Sequence, residues 1–195
     1  LRFLIASACY RDGLSGVFAF GGILAVSVYG IDAADVILFA IAANVVSAAG
    51  AWVAGYFDDS WGSRRVVVAS LVSMLVVAVV LLFVSGPLMF WIFGLALCLF
   101  VGPAQAASRT YLTRATRTGK EGQNFGLYAM TGRAASFMAP RLFGLFVLIG
   151  GADRRGILGI MIVLGIGLAL LLRVPELAHA DDDRFSGESH GDGVR

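Results

Sequence analysis

Charge is what this sequence has least of. Asp, Glu, Lys and Arg make up 14 % of its 195 residues, against about 25 % in water-soluble domains. So few charges cannot cover a folded surface with groups that water solvates, which excludes an ordinary soluble globule. Histidine occurs only at His179 and His190, both near the end of the chain, so its body holds no imidazole for proton transfer or metal binding. Cys9 and Cys98 lie far apart within apolar stretches, without the close spacing of a zinc site, and read as buried structural thiols. No serine stands in a nucleophile elbow, no glycine-rich loop precedes a lysine, and no acidic cluster has metal-ligand spacing. These absences argue against an enzyme and against any cofactor or metal. The net charge of +2 is too mild to suggest nucleic acid.

What the chain does have is apolar length. Hydrophobic residues make up 58 % of it, and the mean hydropathy is +0.84. A bilayer-spanning helix needs about 20 mostly apolar residues. Six runs qualify: 3–29, Val36–Phe57, Val66–Val84, Leu88–Leu112, Phe125–Ile149 and Ile157–Leu172. They predict an all-α, polytopic membrane domain over residues 1–175, embedded in lipid. Residues 176–195, acidic and without periodicity, predict a disordered, solvated tail. Leu1-Arg2 leads straight into the first run without the features of a secretory signal, as expected of a chain cut from something longer.

Basic residues in short loops set orientation. If the first helix starts inside, Arg2, Arg64, Arg65, Arg114, Arg117, Lys120 and Arg173 are cytoplasmic and only Arg154 and Arg155 lie outside. Seven against two puts the tail in the cytoplasm. Pro103 and Pro140 fall within spans and predict kinks.

An ionisable group deep in a membrane is a functional hypothesis by default, since placing it there costs at least a few kcal/mol. Asp12 lies in the first run and Arg133 in the fifth. An ion pair between them would neutralise both, and a carrier could make and break it, with Asp12 also able to take up a proton. The other reading is a static pair that fixes helix register. Arg11 points about 100° away from Asp12 and is expected to snorkel towards the headgroups or to pair with its own neighbours. Arg141 is a weaker candidate than Arg133. Gln105 and Arg109, four apart, share a helix face and with Asn44 are candidates to line a cavity beside Pro103. Ser47, Ser108, Thr131 and Ser136 serve equally well as hydrogen bonds between helices.

The most specific segment is Gly55-Tyr56-Phe57-Asp58-Asp59-Ser60-Trp61-Gly62-Ser63-Arg64-Arg65. It resembles the signature cytoplasmic loop of the major facilitator superfamily: Gly, three residues, Asp, a basic residue, any residue, Gly, any residue, then two basic residues. Gly55, Asp59, Gly62, Arg64 and Arg65 match; Ser60 replaces one basic residue. On that pattern Gly55 admits a neighbouring helix, Asp59 caps the next helix, and the arginines form a charge clamp. Tyr10-Arg11-Asp12-Gly13, Phe18–Gly22, Gly102–Arg109, Phe125–Ala129 and Gly132–Ala134 further resemble the C-terminal half of the autophagy-related vacuolar effluxer-like family and its bacterial relatives. Arg11 and Arg141 depart from what that likeness leads one to expect.

The resemblance implies one six-helix half of a twelve-helix fold, made of two inverted three-helix repeats, in a bacterial plasma membrane. It implies secondary transport, as efflux, of a small solute such as an amino acid, coupled to protons or ions. The partners it implies are that solute and the N-terminal half of the same carrier. The alternative is a non-transporting membrane assembly or sensor protein whose intramembrane charges are structural.

Overall fold

A computed structural model describes residues 2–116 and 121–174. Expectations that fall on residues 117–120 and 175–195, including the acidic tail and both histidines, lie outside the described residues. Within them every regular element is helical. The first four apolar runs become α1 (Arg2–Ser27), α2 (Ala33–Trp61), α3 (Ser63–Phe83) and α4 (Pro87–Ala115). The fifth divides into α5 (Glu121–Ala135) and α6 (Met138–Gly150), and after a single 3-10 turn the last is α7 (Gly156–Leu172). By length and composition α2, α3, α4, the α5–α6 pair and α7 can each cross a bilayer. At 26 residues α1 is about 39 Å long, but Arg11 and Asp12 sit in its middle. This is an integral, multi-pass membrane protein.

The turns are short because glycine makes them so. Only Gly62 separates α2 from α3; its φ of 86° is disfavoured for side chains other than glycine, and its N–H closes α2 on the Asp58 carbonyl at 3.0 Å. Such tight reversals force consecutive helices to run antiparallel.

Packing then interleaves two halves of the bundle. Helices α2 and α3 pack chiefly on α4, whereas α5, α6 and α7 pack on α1; α3 and α7 meet between them. The triad α1–α3 and the triad α4–α7 thus exchange their leading helices. Since spans alternate in direction, α1 and α4 run oppositely, and the triads are inverted repeats.

Small residues bring the helices together, as expected where lipid tails leave no hydrophobic drive for association. A side chain at Gly50 of α2 would run into the Leu99 carbonyl of α4, and one at Gly102 into the Ser47 carbonyl. Pro103 explains the first contact. It has no N–H to give the carbonyl four residues back, and that carbonyl is Leu99. The oxygen left over in α4 lies where the bare Gly50 comes closest, a setting for a weak Cα–H···O contact. Gly167 packs in the same way on the Tyr10 backbone and Gly159 on that of Leu142 and Phe143. The interior is Tyr10, Leu14, Val67, Leu71, Met74, Val101, Val163 and Leu164, all below 2 % exposed. Outside, α2 presents Ile37, Leu38, Ile41, Val45 and Trp52, an apolar face suited to lipid.

Replacing Gly102 by Ala adds a methyl group where Ser47 already stands. Alanine gains up to about 1 kcal/mol in helix propensity, but overpacking costs about 1–3 kcal/mol, so the thermal midpoint in detergent is expected to fall. Gly144→Ala, which meets nothing within 4 Å, is the control and should leave that midpoint unchanged or raise it. Equal midpoints for the two variants would remove the close α2–α4 contact.

Candidate functional site

Three consecutive residues of α1 point in three directions and tie three other helices to it. Tyr10 is fully buried and its Oη lies 2.6 Å from Ser108 Oγ of α4. Ser108 spends its own proton on the Ala104 carbonyl, so Tyr10 is the donor. Arg11 is half-buried; its Nη1 donates to the Tyr128 carbonyl of α5 at 3.2 Å and its Cζ lies 4.1 Å from the Tyr128 ring centroid. Gly132, one turn further along α5, makes room for this guanidinium. Asp12 is 4 % exposed, and its Oδ2 accepts the Ala139 N–H of α6 at 2.5 Å.

The last contact is set by a break in the fifth span. After Ala135 the helix stops, Ser136 N–H closing on Arg133 O at 3.3 Å, and it restarts at Met138. Pro140 is the third residue of α6, where an absent N–H costs nothing. The expected kink is therefore a full interruption, and it frees amides at membrane depth. No side chain of its own caps α6. A carboxylate from α1 does so instead, placed at the positive end of the helix dipole.

This corrects the expected pairing. Among the described residues Asp12 and Arg133 form no ion pair; Arg133 is exposed in the last turn of α5, near the carbonyls that a cation favours. Arg11, expected to snorkel, crosses instead to α5. Arg141 is exposed, its guanidinium 5.1 Å from the Phe137 ring. Gln105 and Arg109 are both exposed on α4, sharing a face as their spacing requires. Arg109 also lies within electrostatic reach of Tyr128. Asn44 is exposed on α2 and donates to Ala40 O of its own helix at 2.8 Å. Thr131 and Ser136 likewise bond within their own segment, whereas Ser108 links α4 to α1.

The signature-like loop is organised differently from expectation. Nothing lies within 4 Å of a Cβ on Gly55; close approach belongs to Gly50 and Gly102. Asp59 does not cap α3, whose N-terminus has no side-chain cap. It meets Arg114 Nη2 at 3.2 Å, and Asp58 meets the same nitrogen at 3.3 Å. Arg114 Nη1 donates to Ser63 Oγ at 3.2 Å. Asp58 is the buried acid of the two, its side chain 8 % exposed against 84 % for Asp59. Arg64 donates to the Leu172 carbonyl at the end of α7 at 2.9 Å, and Arg65 is exposed. The clamp therefore joins α2, α3, α4 and α7. Sequence reading missed Asp58 and took Arg114 only as a loop charge; its place at the end of α4 was the available signal.

A cavity of about 150 Å³ opens among α1, α2, α3, α4 and α7, lined by residues that include Phe18, Val36, Phe39, Phe90 and Cys98. It is almost wholly apolar and holds none of the polar candidates.

Residues 1–181 match the family described as "Vacuole effluxer Atg22 like". An uncharacterised MFS-type transporter of Bacillus subtilis (strain 168), YxiO, is 25 % identical over 179 residues, which cover 92 % of this chain and 42 % of that protein. The chain thus spans about two-fifths of the length of the curated relative it matches.

Burial ranks the clamp. Arg114→Ala leaves the Asp58 carboxylate buried without its cation, at a cost of about 1–3 kcal/mol, whereas exposed pairs contribute little. Thermal unfolding in detergent should show a clear fall in midpoint for Arg114→Ala and almost none for Asp59→Asn. The reverse order would make the exposed acid the working partner.

Proposed function

Since the chain belongs to the family of Atg22-like vacuole effluxers, we propose that it forms one six-helix half of a secondary carrier of the major facilitator type. In this reading residues 1–175 are the transmembrane half, and a second half of the same protein faces them across a water-filled path. The carrier sits in a bacterial plasma membrane with the Gly55–Arg65 loop inside. It exports a small solute, amino acids being the first class to test, and draws on a proton or ion gradient.

The observation that carries this reading is the exposure of Arg109, Arg133 and Arg141 on helices that cross the membrane. Arg133 lies about 18 Å along α5 from its start, and Arg109 about 9 Å from the end of α4. Arginine at such depth is unfavourable against hydrocarbon by several kcal/mol, yet these side chains are not covered by this chain. Water and a facing half, as at the midplane of secondary carriers, satisfy them. Gln105 adds an uncharged polar group to the Arg109 face of α4, and Asn44 is a further exposed polar residue on α2.

Coupling is assigned to Asp12 and the break it spans. As a carboxylate, Asp12 makes a charge-assisted hydrogen bond to the first turn of α6. Protonation removes the charge and weakens the hold, so that α6 can shift against α1 while Arg133, at the end of α5, moves with the same joint. Uptake of a proton on one side and its loss on the other then bias two arrangements of the fifth span, as alternating access requires. The loop clamp at Asp58, Asp59, Arg64 and Arg114 holds the cytoplasmic ends of four helices together in one of those arrangements.

Asparagine at position 12 keeps an acceptor for the Ala139 amide and loses the titratable charge. In liposomes containing the intact gene product, Asp12→Asn should fold normally but lose solute flux driven by an imposed pH gradient. Asp12→Ala should in addition lower stability by about 1 kcal/mol, the usual cost of a lost helix cap. Wild-type flux in Asp12→Asn would reduce Asp12 to a structural cap, and no flux of any solute by the wild type would favour an assembly or sensor protein.

A further inference from the structure

At the level of Tyr128 two arginines meet, and among the described residues neither is paired with a carboxylate. The Arg11 guanidinium lies against the Tyr128 ring and donates to its carbonyl, both neutral groups. Arg109 follows Ser108 on α4, whose hydroxyl meets Tyr10 beside Arg11 at 2.6 Å, and lies within electrostatic reach of the same tyrosine. Asp12 adjoins Arg11 in sequence but is buried and committed to the Ala139 amide. Among the described residues neither arginine has a carboxylate partner, and every exposed acid lies at a helix end or in a loop: Asp32, Asp35 and Asp59.

The three residues also lie at one depth. Arg11 is nine residues into α1 and Tyr128 seven into α5, while Arg109 is six from the end of α4, about 9–14 Å from the cytoplasmic helix ends. That is deeper than lipid headgroups ordinarily reach. Arg11 is held from behind by the ring and carbonyl of Tyr128, with Gly132 leaving the space it fills. The exposed Arg109 leaves its own donors free for an incoming group.

We propose that Arg11 and Arg109, brought into one region by the Tyr10–Ser108 contact, form a subsite for the anionic oxygens of a soluble carboxylate- or phosphate-bearing solute. This rests on the carrier reading and moves its substrate class from neutral amino acids to net anions, acidic amino acids among them. Guanidinium groups bind such oxygens with paired, charge-assisted hydrogen bonds. Among the described residues an ammonium group finds no exposed carboxylate beside the two arginines, so a net anion is favoured over a zwitterion of similar size.

Thermal stabilisation of the intact gene product in neutral detergent tests this without needing transport. The probes are succinate, inorganic phosphate, leucine and choline, with phosphatidylglycerol micelles as the lipid arm. Succinate or phosphate is expected to raise the midpoint and leucine or choline to leave it unchanged. Arg11→Gln and Arg109→Gln should each weaken the anion's apparent affinity at least tenfold, Arg11→Lys less, and Arg141→Gln not at all. If Arg11→Gln fails to fold, Arg109→Gln alone decides. The subsite is overturned if no soluble anion stabilises, if leucine or choline does so equally, if only phosphatidylglycerol does, or if affinity survives Arg109→Gln. Anion binding without flux in liposomes retains the subsite and removes the carrier reading; leucine flux undiminished by Arg11→Gln and Arg109→Gln does the opposite.

Discussion

A hydrocarbon interior offers no hydrogen bonds, so a helix interrupted there persists only if something else meets the amides it frees. Here that something is the Asp12 carboxylate, which bonds Ala139 N–H at the start of α6. The contact answers two needs together. It gives the broken span a cap that its own residues do not supply, and it gives a carboxylate at membrane depth a partner other than a cation. Without it α1 would carry an uncompensated charge and the α5–α6 joint would carry uncompensated dipoles. The close packing of Gly16 on Ala139, with no side chain between α1 and α6, allows the short bond to form.

Much of this was legible in the residues, and what was not follows one physical pattern. The apolar runs and the shared face of Gln105 and Arg109 follow from local spacing, and the cost of burying a charge is what singled out Asp12. Partners were misread wherever they were backbone atoms. Asp12 was matched to Arg133 because charge is visible in a sequence, whereas a freed amide on another helix is not. Arg64 bonds a carbonyl ending α7, equally invisible. The loop shows a second limit: the aligned acid, Asp59, is the exposed one, while Asp58 is turned inward by its place on α2, and only the docking of α4 decides which of them Arg114 neutralises.

The two prolines make the same point from opposite sides. Pro103 stays inside a continuous α4, because its orphaned carbonyl at Leu99 is covered by Gly50 of the neighbouring helix. Pro140 accompanies a full break, because the Ala139 amide beside it has found an acceptor outside its own helix. Tertiary contact, not the proline itself, decides between a tolerated kink and a joint.

That difference makes the inverted repeats unequal. In the exchange of triads α2 occupies the place that α5 and α6 share, yet α2 is one helix of 29 residues locked to α4 through two glycine contacts, and its counterpart is split. The split span is also the least enclosed: 11 % of its most apolar stretch is buried, against 17 % in α2 and 44 % in α4 and α7. Segments with few buried contacts open at least cost. The bundle therefore has a rigid side, built on α2, α3 and α4, and a compliant side whose joint is held by one titratable group. In the proposed carrier, motion in response to protonation falls on the compliant side with Arg11, Tyr128 and Arg133, while Arg109 stands across from them on the rigid α4, so a shift of the broken span would change the spacing of the two arginines assigned to a solute.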